Sequence, residues 1–321
     1  DLPSRDSFHY LFAVVFVDQT WAFPTSLKDF GTEGEGPKAR LGLLEAMERM
    51  RSLEPHLIQS YLMCREGQCV YRSLLQSLGV PMMGSPPAAL VVGQDKGLQR
   101  QTLQRFMARG TVVRRASARE QVARWDIFPC VVKAADLDNS VGLSKVQAAD
   151  ELADAVDRCF AAGASSVIVE DFIAGKEWRV CVLDLEDGPL IMTPVVDYML
   201  EPHEIRSFEK KLERDGADRI ASKAKNQTLN VMQLSDLEPA TRTALENVAF
   251  TTFRELGCRD IVVVDFRIDQ LGRPWLLEVG VWGKLTAQSF EAISVRADGR
   301  NPDEVFMVMA SNAIKRHEQK L

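Results

Sequence analysis

Val264-Asp265-Phe-Arg-Ile-Asp-Gln-Leu-Gly272-Arg-Pro-Trp-Leu-Leu-Glu278 holds two apolar runs separated by a polar turn that contains a glycine. The runs have the composition of strands, and Gly272 suits the turn of a hairpin. Folded in that way, the strands bring Asp265 and Glu278 near each other, each inside an apolar stretch where an unpaired carboxylate is costly. Two such carboxylates need a cation. Magnesium bridging nucleotide phosphates supplies one, and a lysine or arginine partner is the alternative.

Around this hairpin, strands alternate with amphipathic helices. Apolar runs predict strands at 128–133, 166–173, 178–183, 260–268 and 274–279. Leu152, Val156, Cys159 and Phe160 fall on one helical face, as do Leu245, Ala249, Phe253 and Leu256, a stripe that Gly257 closes. Ser235 and Glu238 have capping-box spacing at the start of that second helix, beside Pro239. Asp303 to Lys320 reads as a closing amphipathic helix. The chain is therefore α/β, with an α+β C-terminal part. Gly31 to Pro37 is a mobile loop by composition, and Gly84 to Pro87 punctuates the chain before a new helical segment. Ser207 to Asn226, charged and poor in apolar residues, reads as a long surface loop.

Composition removes several classes of function. A formal net charge of -6 argues against a nucleic-acid partner, which calls for a basic face. No apolar run reaches the roughly 18 to 20 residues needed to cross a bilayer. The apolar stretch Tyr10 to Val17 lacks a basic leader and a cleavage site, so no signal peptide is read there. The six cysteines are scattered without metal or redox spacing and read as small buried hydrophobes of a reducing compartment, cytoplasm or organelle stroma. None of the four histidines has ligand or base spacing.

Two further segments carry chemistry. Phe128-Pro-Cys-Val-Val-Lys133 delivers a lysine from an apolar strand, and Asp138-Asn-Ser-Val-Gly-Leu-Ser-Lys145 follows as a small-residue turn. Such a lysine can hold a nucleotide phosphate while turn N–H groups cradle another; taken alone, the motif reads first as a strand-end lysine snorkelling to solvent. Val167-Ile-Val-Glu-Asp-Phe-Ile-Ala-Gly-Lys-Glu-Trp178 runs an apolar strand into Glu170 and Asp171, turns at Gly175 and resumes with Glu177. Polar groups at that bend could bind an adenine amino group and ribose hydroxyls, or simply make a hairpin turn.

Taken in order, Lys96, the FPCVVK strand, the SVG turn, VIVEDFIAGKEW and VVVDFRIDQLGRPWLLEVG resemble the ATP-grasp motifs of D-alanine:D-alanine ligases over roughly residues 55 to 315. The resemblance implies an ATP-grasp fold with an N-terminal α/β domain (1–86), a central subdomain (87–169) and a C-terminal subdomain (170–321). It implies ATP and Mg²⁺ as cofactors. Lys96 and Lys133, with Ser140 of the SVG turn, would contact phosphates; Glu170, Asp171, Phe172 and Ile173 would form the adenine hinge, and Glu177 would hold the ribose. Asp265 and Glu278 would be metal ligands. Lys211 is similar to the lysine of the family's mobile lid and Ser289 to a serine near the second substrate's carboxylate, the two catalytic positions the resemblance offers.

It further implies dipeptide formation through an acyl phosphate, with a small amino-acid substrate. An ATP-binding pseudoenzyme and a ligase for another amino acid are the alternatives, and since relatives often pair, a homodimer is one state the resemblance allows, with no interface legible in the sequence. Departures from the pattern are specific. The family's transition-state arginine is replaced by Val263, and the asparagine that completes magnesium coordination by Gly280. Loss of such a preorganised cation costs on the order of 100- to 1,000-fold in rate. The family's amino-acid motifs fall on Ser60-Tyr61 and Cys64-Arg65-Glu66-Gly67, where only a carboxylate and the last glycine match.

Overall fold

The computed structural model describes residues 8–26, 40–62, 64–137, 140–185, 188–206, 212–214, 220–222 and 230–319. Gly31 to Pro37 and Lys211 lie outside them. The chain divides into two compact units, one made of Asp1–Met83 with Asp303–Leu321 and the other of Gly84–Pro302.

In the first unit, the short strands β1 (Val14–Val15) and β2 (Trp21–Ala22) pair antiparallel. The helix α1 (Leu43–Ser52) buries Ala46 and Met50 beside Trp21, and α2 (Arg72–Gln76) adds Leu75 to the same cluster. The Tyr71 ring stands edge-on to Trp21 at 5.4 Å, a favoured aromatic geometry. The amphipathic pattern read over Asp303 to Lys320 becomes a helix at Pro302–Glu318, with Val305, Met309 and Ala313 buried at four-residue spacing.

The second unit begins with α3 (Pro87–Gly93) and α4 (Lys96–Leu103). Its first sheet has the order β3-β6-β4-β5, all antiparallel, from β3 (Gly110–Arg114), β4 (Cys130–Ala134), β5 (Ser144–Val146) and β6 (Ser166–Asp171). α5 (Ala118–Ala123) and α6 (Ala149–Ala161) pack on this sheet. The predicted face of α6, Leu152, Val156, Cys159 and Phe160, is buried in one cluster with Val132, Val167 and Val169. That apolar burial is the main force holding helix to sheet.

The second sheet joins β7 (Lys176–Leu183), β8 (Ile191–Met192), β9 (Val195–Asp197), β12 (Asn230–Met232), β13 (Ile261–Ile268) and β14 (Pro274–Gly280). Between β9 and β12 the chain makes a separate hairpin from β10 (Leu212–Arg214) and β11 (Ile220–Ser222). The stretch read as a surface loop therefore contains paired strands, which its charge-rich composition conceals. All eight residues of β13 are buried, as a central strand with both faces covered requires.

α7 (Pro239–Glu255) covers the second sheet with Leu245, Ala249 and Phe253, and Gly257, at φ +63°, ends it as predicted. The expected Ser235–Glu238 capping box is absent. Pro239 occupies the first helical position, where its fixed φ starts the helix without a side-chain cap, and the box instead joins Gln233 and Asp236 around a 3₁₀ turn. α8 (Phe290–Ala297) closes the unit.

Candidate functional site

Lys96, Lys133, Ser140, Glu170, Asp171, Phe172, Ile173, Glu177, Asp265 and Glu278 all line one open cleft of about 1030 Å³ in the second unit. Both sheets contribute walls: Val131 and Ala134 from the first, Leu276 and Leu277 from the second. An apolar cleft with a few convergent polar groups is the usual form of a small-molecule site.

Local structure explains why each side chain arrives there. Asp95 accepts hydrogen bonds from the N–H groups of Gly97 (2.8 Å) and Leu98 (3.1 Å), which fixes the start of α4 and with it Lys96 at the first helical position. Lys133 sits near the end of β4, and Glu170 and Asp171 end β6. The link to β7 turns at Gly175, at φ +153°. A Cβ there would stand 1.8 Å from the Ile268 carbonyl oxygen, so only glycine lets the link lie against β13.

The charges in the cleft are organised as pairs. Glu170, 5% exposed, receives Lys133 Nζ at 2.6 Å on one oxygen and the Arg100 guanidinium on the other. Lys133 also lies 3.4 Å from the Leu277 carbonyl oxygen on the opposite sheet. Lys96 donates to the Leu137 carbonyl at 3.0 Å and stands 3.4 Å from Glu278. Arg267 donates to the carbonyls of Ile173 (2.9 Å) and Pro202 (3.1 Å) and lies 3.6 Å from Glu177. Burial pushes the Arg267 pKa down, and Glu177 only partly offsets it. Lys145, lowered by burial and then by Arg267, rests 3.8 Å from the Phe172 ring centre and donates to the His203 carbonyl at 2.7 Å. Ser140 donates to the Arg206 carbonyl at 3.0 Å.

Asp265 and Glu278 are direct cross-strand partners on β13 and β14. On its other side Asp265 faces Arg179 of β7. The guanidinium Nε and Nη2 donate to the two Asp265 oxygens, each at 2.6 Å. Burial works against the Arg179 charge, but the carboxylate outweighs it, and the Arg179 pKa is held well above its ordinary value. Val263 and Gly280 are likewise cross-strand partners; a Cβ on Gly280 would meet Val263 Cγ2 at 2.5 Å. The two departures from the family pattern therefore form a single packing unit, in which the valine fills space a side chain at 280 would need.

The remaining expected residues are placed differently. Ser289 caps α8: its hydroxyl accepts from the Ala292 N–H at 3.1 Å and donates to the Lys284 carbonyl at 2.6 Å. It is 5% exposed and outside the cleft lining. Lys211 lies outside the described residues. Sequence reading missed Arg100, Arg179 and Arg267. Arg267 had a visible signal, standing two residues from Asp265 on a strand; Arg100 and Arg179 meet their partners only through tertiary pairing.

Residues 92–309 match the family described as D-ala D-ala ligase C-terminus. The chain belongs to this family. A D-alanine–D-alanine ligase of Alcanivorax borkumensis is 28% identical over 247 residues, 77% of this chain and 73% of that protein. An uncharacterized protein of Sinorhizobium fredii is 29% identical over 281 residues, 83% and 78% of the two chains. Among solved structures, the Bacillus anthracis D-alanine–D-alanine ligase complexed with ATP superposes with a TM-score of 0.64 at 16% identity, covering 88% of this chain and 87% of that one. The Coxiella burnetii ligase gives 0.64 at 18%, covering 83% and 69%. These likenesses establish the ATP-grasp fold for this member of the D-ala D-ala ligase family.

Proposed function

We propose that this chain is an ATP-dependent carboxylate–amine ligase whose nucleotide lies in the cleft between the two sheets. One observation carries the proposal: ten residues scattered from 96 to 278, chosen by resemblance to a nucleotide site, converge on one cleft. Lys96 and Lys133 face the phosphates, the segment Glu170 to Ile173 contacts adenine, and Glu177 takes the ribose. In the reaction, a substrate carboxylate oxygen attacks the γ-phosphorus and ADP leaves. An amine then attacks the acyl carbon, phosphate departs and an amide remains. Positioning by fixed lysines is the main protein contribution to such phosphoryl transfer. An amino-acid substrate, a homodimer, roles for Lys211 and Ser289, and a site in cytoplasm or organelle stroma belong to the same proposal.

The donor set does not fit a magnesium ion held between Asp265 and Glu278 as the family pattern implies. Both Asp265 oxygens are engaged by Arg179, and position 280 carries no side chain. Magnesium would arrive as the ion accompanying ATP. The Arg179–Asp265 and Val263–Gly280 pairs favour a second reading, a nucleotide-binding protein that has lost turnover.

Phosphate release from Mg-ATP, with and without D-alanine and beside Lys133→Ala, separates the two. D-alanine-dependent release abolished in the variant supports the ligase. Nucleotide binding without release, across a panel of amino acids, supports the pseudoenzyme.

A further inference from the structure

Arg179, Asp265 and Glu278 form one row across three adjacent strands, since Asp265 is the direct partner of Arg179 on β7 and of Glu278 on β14. Directly opposed residues of antiparallel strands point to the same face, so the row is a cation followed by two carboxylates. The Arg179 fork takes both oxygens of Asp265 at 2.6 Å, with only 17% and 9% of the two side chains exposed. The guanidinium is held from behind as well: its carbon lies 5.7 Å from the Tyr198 ring centre and 5.5 Å from that of Phe290. A planar, permanently charged group fixed on several sides is poorly displaced.

A divalent ion entering between the carboxylates would have to share Asp265 with this fork and sit beside a guanidinium whose charge Asp265 and, more remotely, buried Glu291 already balance. The strand offers no further donor at position 280, where Val263 occupies the space. No group of three or more metal-binding side chains occurs among the described residues.

Building on the nucleotide reading above, we propose that Arg179 is a resident cation beside the cleft, neutralising the cleft residue Asp265 where a bound divalent ion would otherwise do so, and that nucleotide binding here is nearly independent of divalent metal. Glu278 is paired with Lys96 at 3.4 Å, so each carboxylate of the row has its own cationic side chain. Removal of Arg179 leaves Asp265 as a buried carboxylate without its partner, the condition under which an external cation becomes valuable.

The test is ATP affinity of the whole chain by calorimetry, in excess magnesium chloride and in EDTA. For the native protein the two dissociation constants are expected to agree within about threefold, and for Arg179→Ala the EDTA value to be weaker by at least about tenfold. Native binding that weakens more than about tenfold in EDTA overturns the proposal while leaving the nucleotide site standing. An equal ratio in Arg179→Ala and the native protein also overturns it. Failure of the native protein to bind ATP in either condition overturns the nucleotide reading itself, and this proposal with it.

Should Arg179→Ala not fold, manganese titration of the native protein without nucleotide, followed by electron paramagnetic resonance, decides the matter. No site tighter than about 1 mM is expected. A micromolar site that Asp265→Asn abolishes would overturn the resident cation.

Discussion

The lysine cradle proposed for a nucleotide and the Asp265–Glu278 row share one cleft but match the resemblance to different degrees. In the cradle, Lys96, Lys133, Glu170 and Glu177 remain as the pattern has them, and each of the two lysines is aimed by a carboxylate and a backbone carbonyl. In the row, Arg179 holds Asp265, and Val263 packs against Gly280 at the two positions where the resemblance led to an arginine and an asparagine.

Gly175→Ala is expected to have the largest effect. With a Cβ 1.8 Å from the Ile268 carbonyl, the link between β6 and β7 must move, and a stability loss of about 3 kcal/mol is expected in urea unfolding. An unchanged midpoint would show that the hinge is not fixed by close approach. Lys133→Ala comes next. It leaves Glu170 with Arg100 and removes the proposed phosphate contact, so ATP affinity is expected to fall about 30- to 100-fold, roughly 2 to 3 kcal/mol, in calorimetry.

Gly280→Asn probes the row. The new side chain meets Val263, and a loss of about 2 kcal/mol is expected; in Val263→Ala with Gly280→Asn about half should return, a non-additivity read from thermal unfolding of the three variants. Additive losses would break the claim that the two departures are coupled. The smallest effect concerns thiols. Burial pushes Cys130 and Cys159 up to about 11 and Cys258 to about 12, and raises Cys181 further, so these four stay neutral and unreactive from pH 7 to 9. Exposed Cys64 should react with Ellman's reagent at once, half-buried Cys69 more slowly, and the four only after denaturation.

Much of the fold was legible because local pattern coincides with burial. The apolar runs at 128–133, 166–173, 178–183, 260–268 and 274–279 became β4, β6, β7, β13 and β14 with ends shifted by one or two residues. The start of α7 was read less well, since proline at the first helical position and a nearby Ser–Glu spacing give competing signals. Where Ser289 points could not be read, because a serine before a helix serves as a cap or a ligand according to its rotamer, and here both of its hydrogen bonds go to the backbone around it.

By itself the sequence determined the α/β class, the strand ends that carry lysines and carboxylates, and the places where the chain leaves the family pattern. The first two follow from periodicity and residue chemistry, which act along the chain, and the third from the resemblance to the ligase motifs. Only tertiary structure decided which charges meet. Arg179 and Asp265 are 86 positions apart, Arg100 and Glu170 are 70 apart, and Val263 meets Gly280 across a hairpin. Strand register sets the first and last of these encounters, where a shift of one residue would turn each partner to the opposite face, and the packing of α4 on β6 sets the second.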